Sequence, residues 1–218
     1  MMDSIVPRPL FLIHESGKRL RAELPARTNQ PCADRVTGLP NRAMLDWYLE
    51  HLFALAPEPP LNSALLVISL NDVRAMRYAF GDIVCNRFMQ AVGQQFHEEA
   101  KPGQFVSALN DDEFAFVMSK STGREECLEV ARKLLARISQ PTRIGGQNYS
   151  SSANIGVAFA EVNTENPADM LQRAQAVLHE VRVDGSDGIK FADSDSAKLA
   201  HDEFSALNEL RAACRCTT

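Results

Sequence analysis

Two adjacent carboxylates, Asp112 and Glu113, are the groups in this chain best placed to hold a hard cation or a phosphate-bound metal. They lie between two apolar runs, Phe105-Val106-Ser107-Ala108-Leu109 and Phe114-Ala115-Phe116-Val117-Met118. Two short β-rich runs around Asn110 and Asp111 predict a hairpin, because Asn and Asp tolerate the left-handed backbone of a tight turn. The bland alternative is a solvated hairpin end, the usual fate of an acidic pair. Other metal chemistry has little support. His51, His97 and His179 fall in predicted helices with no ligating partner four residues on. Cys214-Arg215-Cys216 has no accompanying His or Cys cluster.

The elements that must position the acidic pair are readable from periodicity. Asn41 suits the N-cap of a helix reaching about Ala56, with Leu45, Leu49, Leu52 and Phe53 on one face. Pro57-Glu58-Pro59-Pro60 stops it. Ala64–Leu70 is an unbroken apolar run, suited to a strand buried on both faces. A short helix from Asp72 to about Ala79 follows, then a turn at Gly81. A longer helix, about Ile83 to Glu99, carries Val84, Phe88, Val92 and Phe96 at four-residue spacing.

Beyond the hairpin, Glu125–Ile138 predicts a helix, and Gly145-Gly146 a second hairpin. Ser152–Phe159 predicts a strand, Pro167–Val181 a helix opened by Pro167, and Gly188–Phe191 a short strand. Ala197–Cys214 reads as a final helix, with Leu199, Phe204, Leu207 and Leu210 apolar. Hairpins mixed with helical crossovers imply an α+β class, a central largely antiparallel sheet flanked by helices.

The 218 residues suit one domain with extensions. Hydrophobic residues make up 45% and charged residues 23%, enough for a substantial core. A net charge of -5 gives no footprint for nucleic acid or an anionic membrane. No stretch is long enough to span a bilayer. Cys32, Cys85, Cys127, Cys214 and Cys216 are odd in number and lack a Cys-x-x-Cys pair, which fits a reducing, cytoplasmic setting.

Three separated segments point to one family. Asp34-Arg35-Val36-Thr37-Gly38-Leu39-Pro40-Asn41-Arg42 resembles the opening D-x-L-T-G-L-P-N-R of GGDEF domains. Asn110-Asp111-Asp112-Glu113-Phe114 falls where the GGDEF signature belongs. Ser152-Ala153-Asn154-Ile155-Gly156-Val157-Ala158 resembles the later S-A-S-I-G-I-A strand. The resemblance spans residues 34–192. It implies an α/β sandwich related to nucleotide-cyclase and polymerase-palm folds. It also implies the chemistry of diguanylate cyclases, in which two GTP-loaded domains meet and make cyclic di-GMP with metal ions on the phosphates. The implied organisation is an arm or linker over residues 1–33, a GGDEF-like domain over 34–193, and a helix over 194–218. That last helix resembles the linker joining GGDEF to EAL phosphodiesterase domains.

Carried over by position, the family's site is altered at most of its points. The metal-binding Asp at the end of the first strand falls on Ser69, and the next Asp on Asn71. A hydroxyl is a poor substitute for a carboxylate toward a hard cation. The guanine-contacting Asn falls on Arg77, which has no acceptor to offer a guanine N–H, and the guanine-contacting Asp falls on Asn86. The two signature glycines fall on Asn110 and Asp111, adding bulk where a nucleotide would approach the backbone.

Asp112 alone then remains of the metal-binding side chains. The inhibitory R-x-x-D motif reads Lys101-Pro102-Gly103-Gln104. The late K-x-x-G-R-N motif keeps a cation at Arg182 but ends in Ser186 and Asp187. The favoured expectation is a catalytically inactive GGDEF-like regulatory or dimerisation module in cyclic di-GMP signalling. It would pair as a homodimer or with an EAL-type domain, with weak or absent GTP binding and no cofactor. The alternatives are a weak diguanylate cyclase using Mg²⁺, and a non-hydrolysing GTP sensor controlling a partner phosphodiesterase.

Overall fold

Strand β1 (Ala64–Leu70) is buried at every position. A strand with no solvent face must lie mid-sheet between two layers of helices, and this one does. The computed structural model describes residues 32–55, 63–119, 123–160, 166–184 and 188–192. In chain order these form α1 (Arg42–Leu55), β1, α2 (Val73–Glu99), β2 (Gln104–Ala108), β3 (Glu113–Met118), α3 (Arg124–Ser139), β4 (Thr142–Ile144), β5 (Gln147–Tyr149), β6 (Ala153–Phe159), α4 (Pro167–Asp184) and β7 (Ile189–Phe191). The main sheet has five strands in the order β2-β3-β1-β6-β7, and β4 and β5 form a separate ribbon. Every pairing in the main sheet is antiparallel except β6 with β7. The expected α+β class, with a largely antiparallel sheet and helices on both faces, is therefore what the chain adopts.

The two-residue period of β1 sorts the helices into layers. Leu66, Ile68 and Leu70 face one core, which also takes Phe88, Val92 and Phe96 of α2 and Ala131, Leu134 and Ile138 of α3. Leu65 and Val67 face the other, with Leu45 and Leu49 of α1 and Leu171, Ala174, Val177 and Leu178 of α4. Aromatic pairs tie helices to strands: Phe96 meets Phe114 edge-on at 5.0 Å, and Tyr48 stacks on Phe105 at 4.3 Å.

Local signals set the element boundaries. The backbone N–H of Met44 donates to Asn41 Oδ1 at 3.1 Å, so Asn41 caps α1 as expected. The loop before α1 is built on Asp34, whose Oδ1 accepts from the Thr37 amide at 2.8 Å and the Thr37 hydroxyl at 2.7 Å. Ala108 N donates to Pro40 O at 2.9 Å, joining that loop to the end of β2. The expected break at Gly81 is present as an interruption within α2, with φ 79° and ψ 171°, a conformation open essentially to glycine alone. Asp72 stands just before α2 rather than opening it.

The acidic hairpin differs from its two-residue expectation. β2 ends at Ala108 and β3 starts at Glu113, leaving Leu109 to Asp112 as the turn. The Asn110 side chain closes it: Asp112 N donates to Asn110 Oδ1 at 3.1 Å, an Asx-type turn. Residues 1–31, Pro57 to Pro60 and the expected helix Ala197–Cys214 lie outside the described residues.

Two features carry tests. A Cβ on Gly156 would sit 2.1 Å from the Ala174 carbonyl and 2.9 Å from Leu178, so α4 seats on β6 only because residue 156 has no side chain. Gly156→Ala is expected to cost about 3 kcal/mol or more, read as a drop in urea midpoint. Glu99, at the end of α2, pairs with Lys133 and with Arg137 at 2.7 Å on α3. These two cations hold its carboxyl below the ordinary carboxylate range. Its stabilising contribution is thus complete above the unfolded pKa of about 4.5 and is lost as pH falls through the lower folded value. Glu99→Gln should flatten the acid limb of stability below about pH 5, with little change in its slope near neutrality.

Candidate functional site

Ser69, Asn71, Arg77 and the acidic turn converge at one end of the sheet, while Lys101 and Gln104 lie at the other, where Gln104 pairs with Met118. The site edge at the first end is made by the end of β1, the start of α2, the β2–β3 turn and the start of β6. Leu70 N donates to Asp112 O at 2.9 Å and Asn71 N to Ser152 O at 3.0 Å. The end of β1 is thus clasped between the acidic turn and β6. In register, Ser69 stands opposite Glu113 on one side and Asn154 on the other.

The edge is largely occupied by its own side chains. Arg77 reaches from α2 to the turn and donates to Asp111 Oδ2 at 2.7 Å. Its Nε lies 3.6 Å from Asp82 beyond the Gly81 break. The Asp111 carboxylate, and next the Cys85 sulfur, push the Arg77 pKa up still further, so it is charged at every accessible pH. Val73, Arg74, Arg77, Asp111 and Asp112 line a cavity of about 110 Å³. Pockets that enclose drug-sized ligands run to about 300–1,000 Å³.

Glu113 is not the solvated hairpin end of the bland reading, since only 14% of its side chain is exposed. Asn110 donates to its Oε2 at 2.8 Å, and Arg182 of α4 lies 3.5 Å from its Oε1. Arg182 is therefore directed at the acidic pair. Gly185, Ser186 and Asp187, the rest of that motif, lie outside the described residues.

Ser69 is fully buried, and its hydroxyl has no hydrogen-bond partner among the described residues. An orphaned hydroxyl of this kind costs about 1–3 kcal/mol. Asn71 is engaged on β6: it donates to Ser152 Oγ at 2.9 Å and accepts from Asn154 Nδ2 at 3.1 Å. Asn86 sits half-buried on α2, nine residues past Arg77.

This donor set does not fit a pair of divalent cations. Such ions need several oxygen ligands each, carboxylates above all. Ser69 and Asn71 supply no charge, Glu113 is engaged by Asn110 and Arg182, and Asp112 is left as one carboxylate. No group of three or more His, Cys, Asp or Glu able to hold a metal occurs among the described residues.

The Gln104 side chain is also turned back on its own loop. Lys101 N donates to Gln104 Oε1 at 2.8 Å, and Gln104 N returns to Lys101 O at 3.0 Å. The loop is thereby a closed turn through Gly103, whose φ is 88°. Lys101 lines a separate small cavity together with Glu99, Glu126, Glu129 and Lys133.

Sequence reasoning did not weigh Asp72, Arg74 and Asn154. Asp72 Oδ2 accepts from Ser151 Oγ and Ser152 N, each at 3.3 Å. Asn154 accepts from Gly188 N at 3.1 Å while donating to Asn71, so it joins β1, β6 and the entry to β7. The signal was present, since Asn154 interrupts the expected S-A-S-I-G-I-A pattern. Asn154→Ala should expose the Gly188 amide to faster hydrogen exchange and cost about 1–3 kcal/mol in urea unfolding.

Comparison with known proteins places this edge in context. Residues 32–187 match the model of the diguanylate cyclase GGDEF domain. The chain is 26% identical over 180 residues to MucR of Pseudomonas aeruginosa, a bifunctional diguanylate cyclase/cyclic di-GMP phosphodiesterase, covering 83% of this chain and 26% of that protein. It is 22% identical over 186 residues to the P. aeruginosa diguanylate cyclase TpbB, covering 85% of this chain and 43% of that one. The chain thus spans less than half the length of these relatives.

The GGDEF domain structure of TpbB superposes with a TM-score of 0.70 at 21% identity, covering 78% of this chain and 99% of that one. That of the FimX GGDEF domain, also from P. aeruginosa, gives 0.66 at 21% identity, covering 74% and 99%. At this identity the structural likeness speaks for the fold, while the family match spans most of the chain. This chain belongs to the GGDEF family of diguanylate cyclase domains.

Proposed function

We propose that the domain over residues 34–193 is a GGDEF domain without diguanylate cyclase activity, acting as a regulatory or dimerisation module in cyclic di-GMP signalling. The observation that carries this reading is the state of β1's end: a buried, uncharged Ser69 stands where the family has a metal-binding carboxylate. Phosphoryl transfer between two GTP molecules depends on cations that neutralise the phosphates. One unshared carboxylate at Asp112 is too little charge to assemble them. Arg77 in place of the purine-contacting amide supports the same conclusion for the base.

As a module, the domain would work through contacts rather than turnover. A second copy of the chain or an EAL-type phosphodiesterase domain is the proposed partner. The membership of MucR in the set of relatives, a protein named for both cyclase and phosphodiesterase activities, supports the second.

Incubation of the protein with GTP and either Mg²⁺ or Mn²⁺ is expected to yield no cyclic di-GMP above a buffer blank by chromatography. Measurable product would overturn the reading. Ser69→Asp alone should not restore activity, because Asn71 and Glu113 stay engaged by Asn154 and Arg182.

A further inference from the structure

We propose that Arg77 and Asp111 are a built-in occupant of the purine subsite, an ion pair that fills the space a base would enter and so keeps the edge closed. This rests on the non-catalytic reading above and assigns a joint role to two residues that sequence comparison treats as separate losses. They come from opposite walls of the edge, α2 and the β2–β3 turn, and meet at 2.7 Å. Asp82 adds a second carboxylate 3.6 Å from Arg77 Nε, too long for a hydrogen bond, so the hydrogen bond to Asp111 is what orients the guanidinium. The cavity that Arg77 and Asp111 line, with Val73, Arg74 and Asp112, is about 110 Å³.

The charges explain why the two residues belong together. Asp111 alone would stand beside Asp112 as a second unpaired carboxylate and repel any phosphate. Arg77 alone would be an exposed cation inviting one. Paired, each cancels the other's effect on an anionic ligand, while their combined bulk closes the path to the base. Removing either therefore leaves an obstacle, and only removing both opens the subsite. Arg77→Asn also returns an amide, with both a donor and an acceptor, to the place where a purine edge would lie.

Calorimetric titration with GTP, and separately with inorganic triphosphate as a probe lacking the base, tests this on the native chain, Arg77→Asn, Asp111→Gly and the double variant. Asp111 is 78% exposed and Arg77 35% exposed, so the core is untouched by either change. Thermal unfolding of each variant checks that it folds. Should the glycine loosen the turn, Arg77→Asn with Asp111→Ser carries the same test.

The double variant is expected to bind GTP at least tenfold more tightly than the native chain or either single variant. The gain for triphosphate should be under threefold, and no variant should form cyclic di-GMP. A folded double variant with no gain for GTP would overturn the inference. So would an equal gain for triphosphate, which would mean relief of charge without an opened base subsite. Both results leave the non-catalytic reading standing. Cyclic di-GMP made by the native chain would instead sink that reading.

Discussion

A strand with no exposed side chain dictates most of this molecule. All seven residues of β1 are buried, with β3 paired on one side and β6 on the other. Their side chains alternate between two cores, and each core needs its own pair of helices. Nothing along such a strand can meet a ligand except at its ends. Ser69 and the residues just beyond it are therefore delivered to the sheet edge, between the acidic turn and the start of β6. The chemistry available to the domain is set by what those few positions carry.

What they carry is spent inside the protein. Asp111 pairs with Arg77, Glu113 with Asn110 and Arg182, and Asn71 with Ser152 and Asn154. These contacts are not a large source of stability. An ion pair as exposed as Arg77–Asp111 contributes about 0–1 kcal/mol. Their effect is on availability, because a carboxylate or amide already hydrogen-bonded at 2.7–3.1 Å must break that bond before it serves a ligand. The buried hydroxyl of Ser69 is the opposite case, a polar atom without a partner among the described residues.

The elements were legible wherever burial imposes a period. The four-residue spacing of Phe88, Val92 and Phe96 and the apolar run at Ala64–Leu70 translated directly into α2 and β1. Asn41 and Gly81 were legible because a cap and a positive φ each demand particular residue types. The acidic turn was found but misjudged by two residues, because the Asn110 side chain closes a longer loop than an Asn–Asp pair suggests.

At the site, sequence comparison could name the altered positions but not their partners. Arg77 and Asp111 lie 34 residues apart, and Asn71 and Asn154 lie 83 apart. Neither local propensity nor spacing encodes which long side chain crosses which gap. Tertiary placement decides it.

The bare backbone at Gly156 has a consequence for how this domain can change over generations. The seat of α4 on β6 is fixed by that position and by Leu178 and Ala174, well inside the second core. No residue of the edge takes part in it. Arg77 and Asp111 can therefore change without disturbing that seat, since the two draw on separate positions, whereas Asn154 and Arg182 belong to β6 and α4 themselves. A scaffold divided in this way tolerates change in the chemistry of its edge while the seat of α4 on β6 stays as it is.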